Sequence, residues 1–205
     1  MKKMMVLLAL LSGAGSGTLH AETLQQNRAL CASCHGAQGE GNQTLAAPRL
    51  AGQNGTFLEH QLQSFKAGKR GYHPDDQAGN RMRAVAQKLS DADITQLAAQ
   101  FAGMTVARKV TDSKVGRDLY SSTCMSCHGQ YGQGYAQLQS PNLNILAPWY
   151  LSAQIDAYNK GWRGAADDQD LPALMMRTIA SHISTQKELN EVIDYIGGLS
   201  VPVGR

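Results

Sequence analysis

Four cysteines and two histidines stand in two short groups, Cys31-Ala32-Ser33-Cys34-His35 and Cys124-Met125-Ser126-Cys127-His128. Both read C-x-x-C-H, the spacing of a c-type haem attachment site. The spacing has a geometric reason. On a helical turn, residues i, i+3 and i+4 share one face. Two sulfurs can then reach the two vinyl groups of one porphyrin while the histidine nitrogen reaches iron from the same side. Other chemistries of paired cysteines fit less well. A thioredoxin-like pair requires a βαβ setting, and no strand alternates with helix here. A zinc site requires four ligands close together, whereas these pairs stand 93 residues apart, each with its own histidine. The expected cofactors are two covalently bound haem c groups, held by Cys31 and Cys34 and by Cys124 and Cys127.

Iron held by a porphyrin and by His35 or His128 has one coordination position left, and what fills it decides between electron transfer and catalysis. The ligand must come from a distant part of the chain, on the opposite side of the ring. Met82 lies 47 residues after His35 and Met176 lies 48 after His128. A thioether is soft and favours the ferrous state. Methionines also serve as plain core filling; recurrence at matching positions favours the ligand role. Met175 adjoins Met176, and the repeat described below selects Met176. His73 is the rival to Met82, but it has no partner histidine in the second group's neighbourhood. Pro48 and Pro141 each follow their histidine by 13 residues. A carbonyl there could accept the proton of the other imidazole nitrogen and fix the ring; an ordinary turn proline fits that spacing equally. Arg70 and Arg163 could neutralise haem propionates or stand solvated. His60 and His182 fall on helical stretches and read as surface or packing residues.

The elements that must position these groups come in two copies. Sliding the chain by 93 residues aligns Pro48 with Pro141, Leu50 with Leu143, Phe57-Leu58 with Tyr150-Leu151, and Gln61-Leu62 with Gln154-Ile155. It also aligns Phe65 with Tyr158, Arg70 with Arg163 and Gly71 with Gly164. The offset then drifts by one, pairing Met82-Arg83 with Met176-Arg177, and by one more before the last helix. There Ser90-x-x-Asp93 matches Thr185-x-x-Glu188, both readable as capping boxes. Behind them Ile94, Leu97, Ala98 and Phe101 match Leu189, Val192, Ile193 and Ile196, an amphipathic helix face. The repeat predicts two mainly α-helical domains, residues 22–104 and 113–205, joined by a polar linker at 105–112.

Residues 1–21 stand apart from both domains. Lys2 and Lys3 precede an apolar run from Met4 to Leu11 and a small-residue stretch ending at Ala21, the layout of a secretory signal peptide. Without Lys2 and Lys3, 17 basic groups face 16 acidic ones. Residues 22–105 carry 8 basic and 7 acidic groups, and residues 106–205 carry 9 of each. Neither half has the concentrated positive field that nucleic-acid binding needs.

With its two C-x-x-C-H motifs, Pro48 and Pro141, and Met82 and Met176, the chain resembles the class I cytochromes c, and within them the dihaem cytochrome c4 family, over nearly all of residues 22–205. The resemblance implies two tandem class I cytochrome folds related by a pseudo-twofold axis, each wrapped around one haem. It implies that the Pro48 and Pro141 carbonyls bond the two histidines. It also implies a periplasmic electron carrier, loosely associated with the membrane, that takes electrons from an upstream donor complex and passes them to a respiratory terminal oxidase. The alternatives are a haem subunit of a dehydrogenase complex, or a dihaem redox enzyme of the peroxidase or thiosulfate-oxidising type. An enzyme would need a labile or replaced axial ligand, and the paired methionines argue for a non-enzymatic carrier.

Overall fold

Amphipathic stripes with polar side-chain caps form several of the helices of this chain, and glycines turn it between them. A computed structural model describes residues 15–105, 107, 110, 112–165 and 169–200. Residues 1–14 of the expected signal segment, four positions of the expected linker and the last five residues lie outside the described residues.

The first half contains α1 (Gly15–His35), α2 (Gly55–Lys66), α3 (Gln77–Ala86) and α4 (Asp91–Ala102). The second contains α5 (Arg117–Leu119), a π-helical turn (Tyr120–Cys124), α6 (Met125–His128), a 3₁₀ turn (Ala136–Leu138), α7 (Pro148–Asn159), α8 (Leu171–Ala180) and α9 (Gln186–Gly198). Among the described residues, the only extended pairing is one antiparallel bridge between Asn42 and Ala47.

Both capping boxes form. Ser90 accepts from Asp93 N and Thr185 from Glu188 N, with each acid returning to its cap's backbone. Each cap satisfies N–H groups that a helix start leaves open. The stripes behind them are the cores of the two halves. Ile94, Leu97, Ala98 and Phe101 are buried with Leu58 and Leu89, while Leu189, Val192, Ile193 and Ile196 are buried with Tyr120, Leu143, Leu151 and Leu199. Helix α2 packs on α3 and α4 as α7 packs on α8 and α9, so the sequence repeat is a structural one.

The halves meet through a ring of four side chains. Gln61 Oε1 accepts from Arg70 Nη1 at 2.6 Å and from Arg163 Nη2 at 2.8 Å. Gln154 Oε1 accepts from Arg163 Nη1 at 2.7 Å and from Arg70 Nη2 at 2.8 Å. Each arginine thus bridges its own half's glutamine and its partner's, the reciprocity a pseudo-twofold axis requires. Each guanidinium also lies over an aromatic ring of its own half, Arg70 over Phe65 at 4.4 Å and Arg163 over Tyr158 at 4.3 Å. Arg163 is only 5% exposed, so the solvated alternative for that residue is wrong: a buried cation must be paired or hydrogen-bonded, and the glutamine oxygens supply the bonds. Burial first, and then the charge of Arg70, lower its pKa.

Further bonds cross the same interface. Gln53, itself 2% exposed, bonds both backbone groups of Asn142 (Asn142 N to Oε1, 2.6 Å; Nε2 to Asn142 O, 3.1 Å). Tyr72 Oη donates to Gly161 O, and His73 stacks on Trp162 with ring centroids 5.1 Å apart.

Candidate functional site

Each attachment motif occupies the last turn of a helix and is ended by a glycine. Gly36 and Gly129 follow the two histidines with φ of 86° and 82°, positive values that end a helix and that glycine adopts at little cost. Cys31 is half-buried, Cys34 exposed, and Cys124 and Cys127 half-buried; all four sulfurs are free of disulfides. Burial pushes the Cys31 and Cys124 thiols up to about 11. A thiol so placed is no poised thiolate, which argues against a dithiol redox pair and suits sulfurs destined to become uncharged thioethers. Among the described residues no group of three or more histidine, cysteine, aspartate or glutamate side chains is gathered to hold a bare metal ion.

The two histidines are buried, at 5% and 6% exposure. His35 Nδ1 lies 2.7 Å from Pro48 O, and His128 Nδ1 lies 3.2 Å from Pro141 O. A carbonyl can only accept, so Nδ1 carries the proton and donates. Burial lowers both imidazole pKa values, and the proline carbonyls oppose it only in part. Burial thus favours the neutral ring, in which a proton on Nδ1 leaves Nε2 as a lone-pair donor, the state an iron ligand needs.

A glycine in each half brings the proline carbonyl to its histidine. Gly41 N donates to His35 O at 2.7 Å and Gly134 N to His128 O at 2.8 Å, pulling the loop back over the motif. Their φ values are 91° and 69°. A Cβ at Gly41 would meet Arg49 N at 2.7 Å, and one at Gly134 would meet Ser140 O at 2.4 Å. The proline strand passes where a side chain would stand.

Met82 lies on α3 and Met176 on α8, two ten-residue helices that precede the last helix of each half. Both are half-buried. Met176 packs against Tyr158, Ala173 and Ala180, whereas Met175 is 52% exposed. Each methionine helix is N-capped by an aspartate: Asp76 accepts from Gly79 N and Asp170 from Ala173 N. His73, the rival ligand, is instead engaged with Trp162 and accepts from Asp75 N at 3.2 Å.

Sequence reasoning missed the polar residues that join the halves. Gln61 and Gln154 matched in the repeat but carried no assigned role; the same polar residue recurring at one repeat position was the available signal. His60, read as a surface or packing residue, is bonded across the interface, its Nε2 2.9 Å from Asp170 Oδ1. Ser64 Oγ donates to Asp170 Oδ2 at 2.7 Å. Neither half's sequence contains a signal for that pairing.

The arrangement fits two covalently held haems: paired sulfurs and an oriented neutral imidazole on one side, and a half-buried thioether helix packed elsewhere in each half. The sequence model of the cytochrome c family matches residues 22–100 and 113–200. The chain is 29% identical over 213 residues to cytochrome c4 of Pseudomonas aeruginosa, covering 97% of this chain and all of the relative. It is 28% identical to the thiosulfate dehydrogenase electron acceptor of Stutzerimonas stutzeri, over 82% of this chain and 78% of that one. In fold it is similar to the crystal structure of reduced recombinant cytochrome c4 from Pseudomonas stutzeri, with TM-score 0.71 and 28% identity over 88% of this chain and 98% of that one.

Proposed function

The chain belongs to the cytochrome c family, and within it to the cytochromes c4, with two covalent haem c groups; from that premise we propose that it is an exported two-centre electron carrier of the periplasm. In this reading His35 and Met82 would hold the iron in the first half, and His128 and Met176 in the second. Bound haem supplies a one-electron couple. The chain's residues would do the rest: four cysteines would retain the groups, the Pro48 and Pro141 carbonyls orient the imidazoles, and the Met82 and Met176 sulfurs would occupy the positions that a substrate would need. The single observation that carries the reading is the duplicate site, with an oriented imidazole and a methionine helix in both halves.

Redox proteins are the partners, and nucleic acid is not. The finer assignment is donation to a respiratory terminal oxidase, with electrons drawn from an upstream donor complex and peripheral contact with the membrane. Among the described residues no helix is long and apolar enough to cross a membrane. A second reading, acceptance of electrons from a thiosulfate-oxidising dehydrogenase, is favoured by the likeness to the Stutzerimonas stutzeri electron acceptor.

Mixing the reduced protein with a terminal oxidase, with peroxide, and separately the oxidised protein with a thiosulfate dehydrogenase tests these readings. Rapid oxidation by the oxidase with slow reaction towards peroxide is expected. Fast peroxide turnover by the isolated protein would replace the carrier with an enzyme. For the ligands, the ferric protein should show sulfur-to-iron charge-transfer absorption, and Met82→Ala and Met176→Ala should each remove half of it. Retention of the full band in either variant overturns that ligand.

A further inference from the structure

The pseudo-twofold axis that relates the ring of Arg70, Gln61, Arg163 and Gln154 fails a short distance away, at the methionine helices. Asp170 caps α8, six residues before Met176, and its carboxylate also accepts from two side chains of the other half: His60 at 2.9 Å and Ser64 at 2.7 Å. Both donors project from α2. The matching residues on α7 are Ala153 and Ala157, which carry no donor. Accordingly Asp76, the cap of α3 and the counterpart of Asp170, bonds through its carboxylate only to Gly79 N of its own helix among the described residues. Among the described residues, the capping carboxylate of one methionine helix is bonded from the opposite half and that of the other is not.

We propose that His60 and Ser64 are positioning residues for the second haem, acting through Asp170 to hold α8 and so keep the Met176 sulfur on its iron. The proposal rests on the reading of Met176 as an axial ligand. The carboxylate that receives the two donors is 5% exposed, so its bonds face little competition from water and are charge-assisted. Although burial alone would raise it, the bonds from His60 and Ser64 hold this carboxyl down at about 2. A ligand sulfur is weakly held by ferric iron, because a soft donor prefers the ferrous state; the stiffness of the helix behind it then sets how readily another ligand displaces it. Among the described residues the Asp76 carboxylate, which caps the methionine helix of the first half, receives no such bond from across the interface.

The double variant His60→Ala/Ser64→Ala gives α2 the residues that α7 already has, and leaves the arginine–glutamine ring intact. Imidazole binding to the ferric holoprotein is followed by NMR, with each haem read by its own resonances. Losing these bonds should tighten imidazole binding at the second haem by about tenfold, the equivalent of one charge-assisted hydrogen bond, and should lower the potential of that haem. The first haem should change less than about twofold, which is no more than thermal energy. Asp170→Asn keeps a competent N-cap but replaces one acceptor oxygen with a donor, and should move the second haem the same way. An equal change at both haems, a change at the first alone, or no change overturns the proposal. Met176→Ala separates the two readings: if the second haem keeps its sulfur band, the ligand assignment has failed, and if the band is lost while the double variant behaves as wild type, only the grip has failed.

Discussion

The two halves reach the same attachment geometry by different local routes. In the first, Cys31 to His35 end a continuous 21-residue helix, α1. In the second, Gly116 starts a three-residue α-turn that widens into the π-helical Tyr120–Cys124 segment before the four residues of α6. Tyr120 ties this segment to the loop after the motif. It is 1% exposed, packs with Tyr195, and donates from Oη to Gly129 O at 2.6 Å, just past the motif. The next loop differs as well. Asn42 and Ala47 pair through their backbones, whereas Ser140 uses its hydroxyl to accept from Tyr135 N and donate to Cys127 O. What both halves keep is the turn carrying two cysteines and a histidine, the glycine that lets the loop return, and the proline carbonyl. Those are the parts the chemistry constrains; the supports behind them are exchangeable.

A second difference lies on the outer face. In the first half Lys66 and Gln63 bond Asp91, and Thr95 bonds Glu59, bridging α2 to α4. In the second half the corresponding positions leave a groove between α7 and α9, lined by Trp149, Asp156 and Thr185 among others.

The comparison can be broken most severely at the sulfurs. Cys31→Ala/Cys34→Ala and Cys124→Ala/Cys127→Ala should each reduce covalent haem from two per chain to one, measured by the pyridine haemochrome. Retention of two after either change would end the two-site description. Gly41→Ala and Gly134→Ala come next, since both put a side chain at positive φ against backbone. Each should destabilise its own half by roughly 1–3 kcal/mol in denaturant titration and loosen the bond from histidine to proline. A variant as stable as wild type would show that the proline strand can step aside.

Acid should separate the halves next. Asp170 is held at about 2 against an ordinary 3.8 by His60 and Ser64, despite its burial. A depressed carboxyl contributes stability that is complete above about 3.8 and is lost as pH falls through the folded value near 2. The contribution is ~2 kcal/mol, and Asp170→Asn should flatten the stability profile in that window. An unchanged acid profile in the variant would refute it. The smallest effect is at the caps. Ser90→Ala and Thr185→Ala should each cost about 1 kcal/mol, seen as a modest loss in thermal unfolding, and nearly equally because both boxes are complete. A large disparity would mean the two final helices bear unequal loads.

Much of this is legible in the amino-acid sequence. The motifs, the 93-residue repeat, the capping boxes and the apolar faces of α4 and α9 depend on spacing within a few turns of chain, and helical periodicity is itself a local property. The repeat favours Met176 over Met175 because it supplies a second example; in the structure Met175 is exposed and Met176 half-buried. The π-helical turn at Tyr120 was not legible. Its sequence has no breaker, and the widened turn goes with the packing of Tyr120 into the core of its own half.

By itself, then, the sequence determined which atoms are available to the cofactors and that they are available twice. Local spacing decides that, and spacing is written in the chain. Only the tertiary structure decided how the two copies face each other: that Gln61 and Gln154 each serve both arginines, and that His60 reaches Asp170 while Ala153 leaves Asp76 to its own helix. Such bonds join residues about a hundred positions apart, where no periodicity connects them. They depend on the orientation of two packed bodies, a property that a repeat in the chain does not encode.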